Sequence, residues 1–145
     1  MEQDSGTRAP ALYVGATERR GRGVFAGRDF TIGEEIEVCP VIILETTEER
    51  DHIDRTRLYH YYFGWGEDDT RSAIALGYGS LYNHSYLPNA DHRLDYEHEI
   101  IRITAYRPIH KGEEITINYT GTPESREAVW FPLADEEPGS CRGAK

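Results

Sequence analysis

Hydrophobic and polar residues alternate in several short runs along the chain, and this pattern predicts a fold built mainly from strands. Residues two apart on a strand face the same side of a sheet, so an alternating run gives its strand one apolar face. The clearest runs are IIRITAY at residues 100–106 and EITINY at residues 114–119. Because a turn around Lys111 and Gly112 joins them, the two runs predict a β-hairpin.

Shorter apolar runs earlier in the chain predict further strands. They lie at residues 12–14, at Val24 and Phe25, at residues 36–44 and at residues 72–76. The sequence GEEI occurs twice, at residues 33–36 and at residues 112–115. Each copy is interpreted as a turn that feeds a strand. A true internal repeat is the alternative, but the flanking residues do not match over a repeat length.

One helix is predicted among these strands. Thr46 is followed three residues later by Glu49, which matches a capping box, in which each side chain bonds the backbone N–H of the other residue. The box predicts a helix that begins near Thr47. Apolar and aromatic residues at helical spacing extend it to about residue 63. The whole pattern predicts many short strands, one main helix and many turns.

Composition narrows the class of protein. The chain has 145 residues, the size of a single domain, and a formal net charge of −10 from 26 acidic and 16 basic residues. This balance argues against nucleic-acid binding, because phosphate contacts need a basic surface, and it favours a basic partner. Cys39 lies in an apolar run and Cys141 in a polar tail, so no disulfide framework is expected. No apolar run has membrane length and no secretion signal is recognised, which predicts a soluble intracellular protein.

Taken singly, the polar motifs have ordinary structural explanations. YNHSYLPNA at residues 82–90 combines Asn, Ser and Pro, which is typical of a surface turn. The six histidines show no metal-ligand spacing. GRG at residues 21–23 is not a dinucleotide-binding fingerprint, because it precedes a strand instead of opening a helix. Its glycines do allow the backbone to approach a ligand closely.

The order of the motifs is more informative than any one of them. GRGVFA, FTIGEEIEV, YNHSYLPNA and RPIHKGEEITINY follow one another within residues 13–119. In this order and spacing the chain resembles the SET-domain family of protein lysine methyltransferases, in particular the minimal single-domain SET proteins of bacteria and viruses. The resemblance implies a mainly β (α+β) fold, a β-clip of short antiparallel strands with a C-terminal pseudoknot and one main helix. It also implies a flexible amino terminus at residues 1–10, a SET domain at 11–122, and a tail at 123–145 without the cysteines of a post-SET zinc site.

The resemblance further implies a pocket for S-adenosylmethionine. Asn83 would hold the amino-acid end of this cofactor through its amide, and His84 would contribute mainly backbone hydrogen bonds to the adenine. Backbone at Arg22, Gly23 and Val24 would face the cofactor from the other side.

Aromatic residues complete the implied site. Tyr61, Phe63 and Tyr82 would line the substrate channel, although a helix packing face explains the first two nearly as well. Trp130 would fold back over the cofactor, and the alternative is a hydrophobic anchor for the tail.

Tyr119 occupies the position of the family's catalytic tyrosine and would also contact the cofactor. At the end of the EITINY strand it is expected to point inward, where a hydroxyl needs a partner. Methyl transfer to an amine is an in-line displacement whose rate depends on alignment and electrostatics. The substrate lysine must lose its proton, against a free pKa of about 10.4, and an apolar channel beside a cationic cofactor favours the neutral amine. Tyr119 would orient the amine and the methyl group without acting as a base.

The implied function is methylation of lysine on a histone tail or another basic protein, which the charge of −10 would attract. The substrate is expected to dock as an extended strand at a sheet edge. Two alternatives stay open: an inactive SET-fold module that binds a basic peptide, and an enzyme that methylates a small amine. No metal is implied, and a homodimer is compatible with a SET domain that lacks flanking modules.

The chain departs from the family pattern in three places. Ser80 and Leu81 replace an Arg-Phe pair, Cys39 or a neighbour stands where many relatives carry a tyrosine, and Gly121 replaces a second tyrosine after Tyr119. With fewer hydroxyls around the amine, the number of methyl groups transferred is left open.

Overall fold

The computed structural model describes residues 10–129, which form nine strands in two sheets, one α-helix and one short 3-10 helix. The helix α1 spans Thr47–Ile53 and the 3-10 helix spans Arg57–His60. The strands are β1 (Leu12–Ala16), β2 (Arg22–Ala26), β3 (Glu35–Leu44), β4 (Phe63–Trp65), β5 (Arg71–Ala75), β6 (Asn83–His84), β7 (Ala90–Asp95), β8 (Ile100–Ala105) and β9 (Glu114–Ile117). This is the strand-rich fold with one helix that the sequence predicts.

The larger sheet has five strands in the order β4-β5-β3-β8-β7, and all neighbouring strands are antiparallel. In β8 the side chains of Ile101, Ile103 and Ala105 are buried, which confirms the apolar face predicted from alternation. Cys39 on β3 is also fully buried in the core, as its apolar run predicts. Burial raises the pKa of its thiol above the ordinary value, which makes it a poor nucleophile.

The smaller sheet has four strands in the order β1-β2-β9-β6. The pair β2 and β9 is antiparallel, whereas β6 is parallel to β9, with Asn83 opposite Thr116 and His84 opposite Ile117. The motif GRG and the motif NHS therefore become neighbours of one strand, although they are far apart in the chain.

The chain after β9 returns across the NHS segment, as the expected pseudoknot requires. The Tyr86 hydroxyl donates to the carbonyl oxygen of Glu127, and the Arg126 guanidinium donates to the carbonyl oxygen of Tyr86 at 3.2 Å. The NHS segment is consequently packed between β9 and the residues that follow it, and it is more than a surface turn.

The predicted hairpin between IIRITAY and EITINY is wrong. Strand β8 pairs with β3 and β7, whereas β9 pairs with β2 and β6. The turn between them forms, but Ile109 just before it exchanges two backbone hydrogen bonds with Phe30, at 2.8 and 2.9 Å, and does not pair across its own turn. Alternation shows where strands lie but carries no information about their partners.

The two GEEI segments form turns of the same geometry, each followed by a strand, which confirms that prediction. The glycine has a positive φ in both copies, 84° at Gly33 and 92° at Gly112, a conformation that glycine adopts without steric cost. The first glutamate of each copy accepts the N–H of the residue three positions earlier, at 2.9 Å in the first copy and 2.7 Å in the second.

The capping box that starts α1 is present. The Thr46 hydroxyl accepts the N–H of Glu49 at 3.1 Å, and the Glu49 carboxylate accepts the N–H of Thr46 at 3.1 Å. The prediction that this helix continues to about residue 63 is wrong, because α1 ends at Ile53. The Thr56 hydroxyl caps the separate 3-10 helix by accepting the N–H of Leu58 at 3.1 Å. No residue of α1 is buried, so the helix lacks the buried apolar face on which the longer prediction relied.

Among residues 10–129, no helix is both long enough and apolar enough to cross a membrane.

Candidate active site

The GRG backbone on β2 passes very close to β6 and β9. A Cβ atom at Gly23 would collide with the Glu114 carboxylate and would lie 2.9 Å from Nδ2 of Asn83. Only glycine lets these three strands converge without displacing polar side chains. The close approach that the glycines predicted is therefore confirmed, and the first groups that the backbone meets are side chains of this chain.

Asn83 connects β6 to both of these neighbours. Its Nδ2 donates to the carbonyl oxygen of Arg22 at 2.9 Å and to Oε2 of Glu114 at 2.7 Å. Oε1 of Glu114 accepts from the guanidinium of Arg20 at 3.0 Å. We call Arg20, Glu114 and Asn83 the polar cluster.

Asn89, near the end of YNHSYLPNA, holds β9 as a strand partner would. Its Nδ2 donates to the carbonyl oxygen of Glu114 at 2.8 Å, and its Oδ1 accepts the N–H of Thr116 at 2.9 Å. The side-chain amide thus satisfies one acceptor and one donor of the β9 backbone. The first and last asparagines of the motif both fix the position of β9.

His84 is buried and supports the residue that follows β9. Its Nδ1 accepts the backbone N–H of Tyr119 at 3.0 Å, and its ring packs against the rings of Tyr86 and Tyr119 with centroids 4.4 and 5.3 Å apart. Burial lowers the pKa of His84 to about 4, and the positive charge of Arg20 contributes to the shift. His84 is therefore neutral near pH 7, with Nδ1 unprotonated because it accepts a hydrogen bond.

The Tyr119 hydroxyl donates to the carbonyl oxygen of Tyr82. Burial raises the pKa of Tyr119 above its ordinary value of 10.0, and Tyr61 and Glu114 raise it further, while Arg20 lowers it. The hydroxyl consequently stays protonated at neutral pH. It is held at both ends, since the backbone N–H of Tyr119 is bonded to His84.

The side chain of Tyr82 is directed into the core. Its ring is fully buried and its hydroxyl donates to Oε1 of Glu37 at 2.7 Å. Oε2 of the same carboxylate accepts the N–H of Tyr78 at 2.9 Å. What Tyr82 brings to the Tyr119 hydroxyl is its carbonyl oxygen, and Glu37 on β3 anchors the segment that carries it.

Tyr61 and Phe63 both follow the 3-10 helix, so the explanation that they form a helix packing face is wrong. Tyr61 is close enough to Tyr119 to affect its pKa. Phe63 is buried on β4, and its ring centroid lies 5.7 Å from that of His92. Tyr61 is thus brought near Tyr119, whereas Phe63 belongs to the buried core.

A family model described as the SET domain matches residues 21–120. This range contains GRG, the NHS segment, the strand β9 with which both of their strands pair, and Tyr119. The chain belongs to the SET-domain family. A Schizosaccharomyces pombe protein named histone-lysine N-methyltransferase, H3 lysine-37 specific, is 36% identical over 120 residues, which cover 83% of this chain and 76% of the relative. The SET domain described here is accordingly an enzyme of the protein lysine methyltransferase class.

Solved structures agree with this family. The crystal structure of a candidate histone methyltransferase from Plasmodium falciparum superposes with a TM-score of 0.60 at 31% identity, over 75% of this chain and 92% of that chain. Polycomb Repressive Complex 2 of Chaetomium thermophilum, in an autoinhibited conformation bound to S-adenosylmethionine, superposes with a TM-score of 0.62 at 24% identity. That match covers 77% of this chain but 15% of the other, and it shows the fold alone.

The structure brings Arg22, Gly23, Asn83, His84 and Tyr119 together around β9. Val24 lies on the same strand as Gly23, paired with Ile115, and is fully buried. Trp130 and Cys141 lie outside the described residues. The roles assigned to the individual site residues, and the domain boundaries, stay predictions. Within residues 10–129 no group of three or more His, Cys, Asp and Glu side chains is placed to hold a metal ion.

Sequence reasoning did not identify Arg20, Glu114 and Asn89 as parts of this site. A signal existed for Glu114, since GEEI places a carboxylate at the start of a strand whose next residues are buried. Arg20 and Asn89 carry no comparable signal, because their partners come from segments distant in the chain.

Proposed function

We propose that the protein transfers the methyl group of S-adenosylmethionine to the ε-amine of a lysine in a histone tail or another basic protein. The observation that supports this most is the fixed position of the Tyr119 hydroxyl, which is bonded to the Tyr82 carbonyl beside the NHS and GRG segments. A half-buried hydroxyl whose direction is set by a backbone carbonyl is suited to orient an amine for in-line attack.

The residues around Gly23 fit the cofactor. Gly23 lets the β2 backbone lie close to β6, and the Asn83 amide beside it offers a polar contact for the amino-acid end. When bound, S-adenosylmethionine supplies a methyl group on a positively charged sulfur. Arg22, Gly23, Val24, Asn83 and His84 would hold it, and Trp130 would cover it.

Tyr119 would act through orientation and not as a general base. A general base must be deprotonated at working pH before it can accept a proton. Burial instead raises the pKa of the Tyr119 hydroxyl above 10.0, so the hydroxyl keeps its proton. A hydroxyl that donates its proton to a carbonyl still has lone pairs with which to accept a hydrogen bond. Tyr119 can therefore direct the amine while Tyr82 fixes the direction of the hydroxyl.

A lysine on a basic segment is the substrate that the charge favours. The net charge of −10 attracts such a segment over long range and raises its encounter rate. Tyr61, next to β4 at the edge of the larger sheet, would line the entry for the side chain, with the peptide extended along that edge. A histone substrate is also what the name of the Schizosaccharomyces pombe relative states for that protein, and it would place the enzyme inside the cell.

The deciding experiment is titration calorimetry of S-adenosylmethionine with the wild-type protein, Asn83→Ala, Tyr119→Phe and the control Tyr96→Phe, a tyrosine that is 40% exposed. Wild type and both phenylalanine variants should bind with similar affinity. Asn83→Ala should bind about tenfold or more weakly, the value of one hydrogen bond to a charged group.

Radiolabelled methyl transfer to histones and to short basic peptides then tests the reaction itself. Tyr119→Phe should reduce kcat by about 100-fold or more, the loss typical of removing one orienting group, while Tyr96→Phe should not. Cofactor binding without transfer to any basic protein would favour a binding module, and transfer to small amines alone would favour an enzyme that methylates a small amine. A folded wild-type protein that does not bind the cofactor would refute the proposal.

A further inference from the structure

The outer face of the five-stranded sheet is apolar and exposed along β3. Cys39, Val41 and Ile43 pack in or against the core, so the residues that alternate with them face away from it. The apolar residues on this outer face are Val38, Pro40 and Ile42 on β3, Ile74 and Leu76 beside them, and Ile100 on β8. We call these residues the outer strip.

Cross-strand pairing makes the outer strip one continuous surface. Ile42 is directly opposite Ile74, and Pro40 is opposite Ile100. The N–H of Leu76 donates to the carbonyl oxygen of Pro40 at 2.9 Å. Ile42 is 51% exposed and Leu76 is 43% exposed. Single exposed apolar residues are ordinary on a protein surface, but a contiguous group of them marks a binding surface.

A pocket of about 300 Å³ lies at one end of the outer strip. It is lined by Leu44, Glu48, Glu49, His52 and Ile53. Leu44 follows Ile42 by two positions on β3 and therefore shares its face. The helix α1 lies over the same end, since the Arg50 guanidinium donates at 2.7 Å to the hydroxyl of Ser72, which is opposite Leu44. The pocket has room for one large apolar side chain.

We propose that the outer strip and this pocket dock an amphipathic helix of a partner protein, with lysine or arginine on the polar side of that helix. The face of a sheet, unlike its edge, offers no backbone hydrogen bonds to an added strand, whereas a helix satisfies its own. Helices are also the usual second layer on an apolar sheet face. From Val38 to Leu44 the surface is about 20 Å long, which a helix of about 13 residues spans.

Carboxylates border the outer strip and favour a basic partner. Glu48 lines the pocket and Glu99 lies in the turn before β8, and both are exposed. Arg102 also lies on this side of β8, but its charge is offset by Glu35 at 3.3 Å and Asp95 at 3.8 Å. Lysine or arginine on the docked helix would therefore meet carboxylates around an apolar centre, which steers the encounter and fixes the register.

The same charges disfavour a second copy of this chain as the occupant. Two copies would bring together two chains with a net charge of −10 each, whereas a basic helix would offset the bordering carboxylates. The outer strip is also separate from the proposed active site, because Tyr119 packs against the core on the other side of the sheet. The inference therefore adds a partner surface and does not depend on methyl transfer.

The probe for this surface is a synthetic peptide of about 14 residues, with leucine at helical spacing and lysine on the other side. Fluorescence anisotropy measures its affinity beside two control peptides. One control is a scrambled peptide of the same composition, and the other has glutamate in place of lysine. The wild-type protein should bind the amphipathic lysine peptide at least about tenfold more tightly than either control.

Variants of the protein locate the bound peptide. Ile42→Ser and Leu76→Ser should each weaken binding by about fivefold, since each removes apolar area that the helix would bury. Glu48→Gln should weaken it by about twofold and make it less sensitive to salt. Ile32→Ser is the matched control, at an isoleucine that is 66% exposed outside the outer strip, and it should bind as the wild type does.

The remaining outcomes would overturn the proposal. No binding of the lysine peptide, or equal affinity for its scrambled control, would mean that the outer strip does not select an amphipathic helix. Equal binding by wild type, Ile42→Ser and Leu76→Ser would place the peptide elsewhere. A wild-type dimer in sedimentation that Ile42→Ser dissociates would assign the outer strip to a second copy. Unfolding curves verify that the variants are folded, and if Ile42→Ser is not, Leu76→Ser decides alone.

Discussion

The two sheets of the protein are stabilised in different ways. In the five-stranded sheet, antiparallel ladders join every pair of neighbouring strands, and buried aliphatic residues such as Ile101 and Ile103 contribute to the core. In the four-stranded sheet, β6 has 2 residues and β9 has 4, so few ladder bonds are available. There the amides of Asn83 and Asn89 link the strands. Val24, Ile115 and Ile117 of the smaller sheet also belong to the apolar core. The site on that sheet depends in addition on directional polar bonds, which weaken steeply when their geometry is disturbed.

The largest effect on stability should come from truncating the five-stranded sheet. Ile103 is fully buried on β8, so Ile103→Ala should lower the free energy of unfolding by about 4 kcal/mol through lost burial and a residual cavity. Chemical denaturation measures this. Affinity for S-adenosylmethionine should be unchanged in the remaining folded protein.

Ile42→Ala is the matched control, because Ile42 is 51% exposed on the neighbouring strand β3. It should cost less than about 1 kcal/mol. If both variants lost a comparable free energy of unfolding, burial of the side chain would not explain the stability of this sheet.

The next largest effect concerns pH and His84. Its pKa in the folded protein is about 4, against an ordinary value of 6.5. Between these values the unfolded chain binds a proton that the folded protein does not, so stability is complete above pH 6.5 and falls as the pH decreases towards 4. The loss should reach up to about 3 kcal/mol.

Denaturation of wild type and His84→Gln at about pH 7, 6 and 5 isolates this contribution, because the carboxylates titrate in both proteins. The wild type should lose stability more steeply than the variant. His110→Gln, at an exposed position, should retain the wild-type slope. If the free energy of unfolding fell equally with pH in wild type and His84→Gln, protonation of His84 would not be the cause of the loss.

Asn89→Ala should have a smaller effect on stability but should damage the site. Removing the amide leaves the Glu114 carbonyl and the Thr116 N–H without the partner seen here, at a cost of about 2 kcal/mol. Because β9 also carries the Glu114 carboxylate, affinity for S-adenosylmethionine should fall as well. Calorimetry should compare the affinity of Asn89→Ala and Ile103→Ala for S-adenosylmethionine. If Ile103→Ala weakened binding as much as Asn89→Ala, the two sheets would not differ in their importance for the site.

The sequence was informative in proportion to how local each interaction is. The apolar face of β8, the capping box of Thr46 and Glu49, and both GEEI turns depend on neighbours in the chain, and all were predictable. The partner of β9 was not, since β2 and β6 are recruited from distant segments. The order of motifs can be read along the chain, and it identified the family. The bond between Asn83 and Glu114 joins distant segments and could be found only in the folded chain.

Glu37 is the point at which the two regions meet. It lies on β3 of the five-stranded sheet, yet its carboxylate holds Tyr82 and the N–H of Tyr78, next to the carbonyl that orients Tyr119. Glu37→Gln keeps one acceptor but turns an NH2 group towards a second donor. The expected loss of stability is about 1 kcal/mol, the smallest effect considered.

The catalytic consequence of Glu37→Gln should exceed the structural one. A displaced Tyr82 carbonyl misdirects the Tyr119 hydroxyl, so kcat should fall about tenfold while affinity for S-adenosylmethionine is retained. Glu35→Gln, on the same strand but exposed, is the matched control and should keep the wild-type kcat. Methyl-transfer kinetics that were normal in Glu37→Gln would mean that the Tyr82 carbonyl is held by the NHS segment alone. The smaller sheet would then carry the complete site, and the larger sheet would serve only as its support.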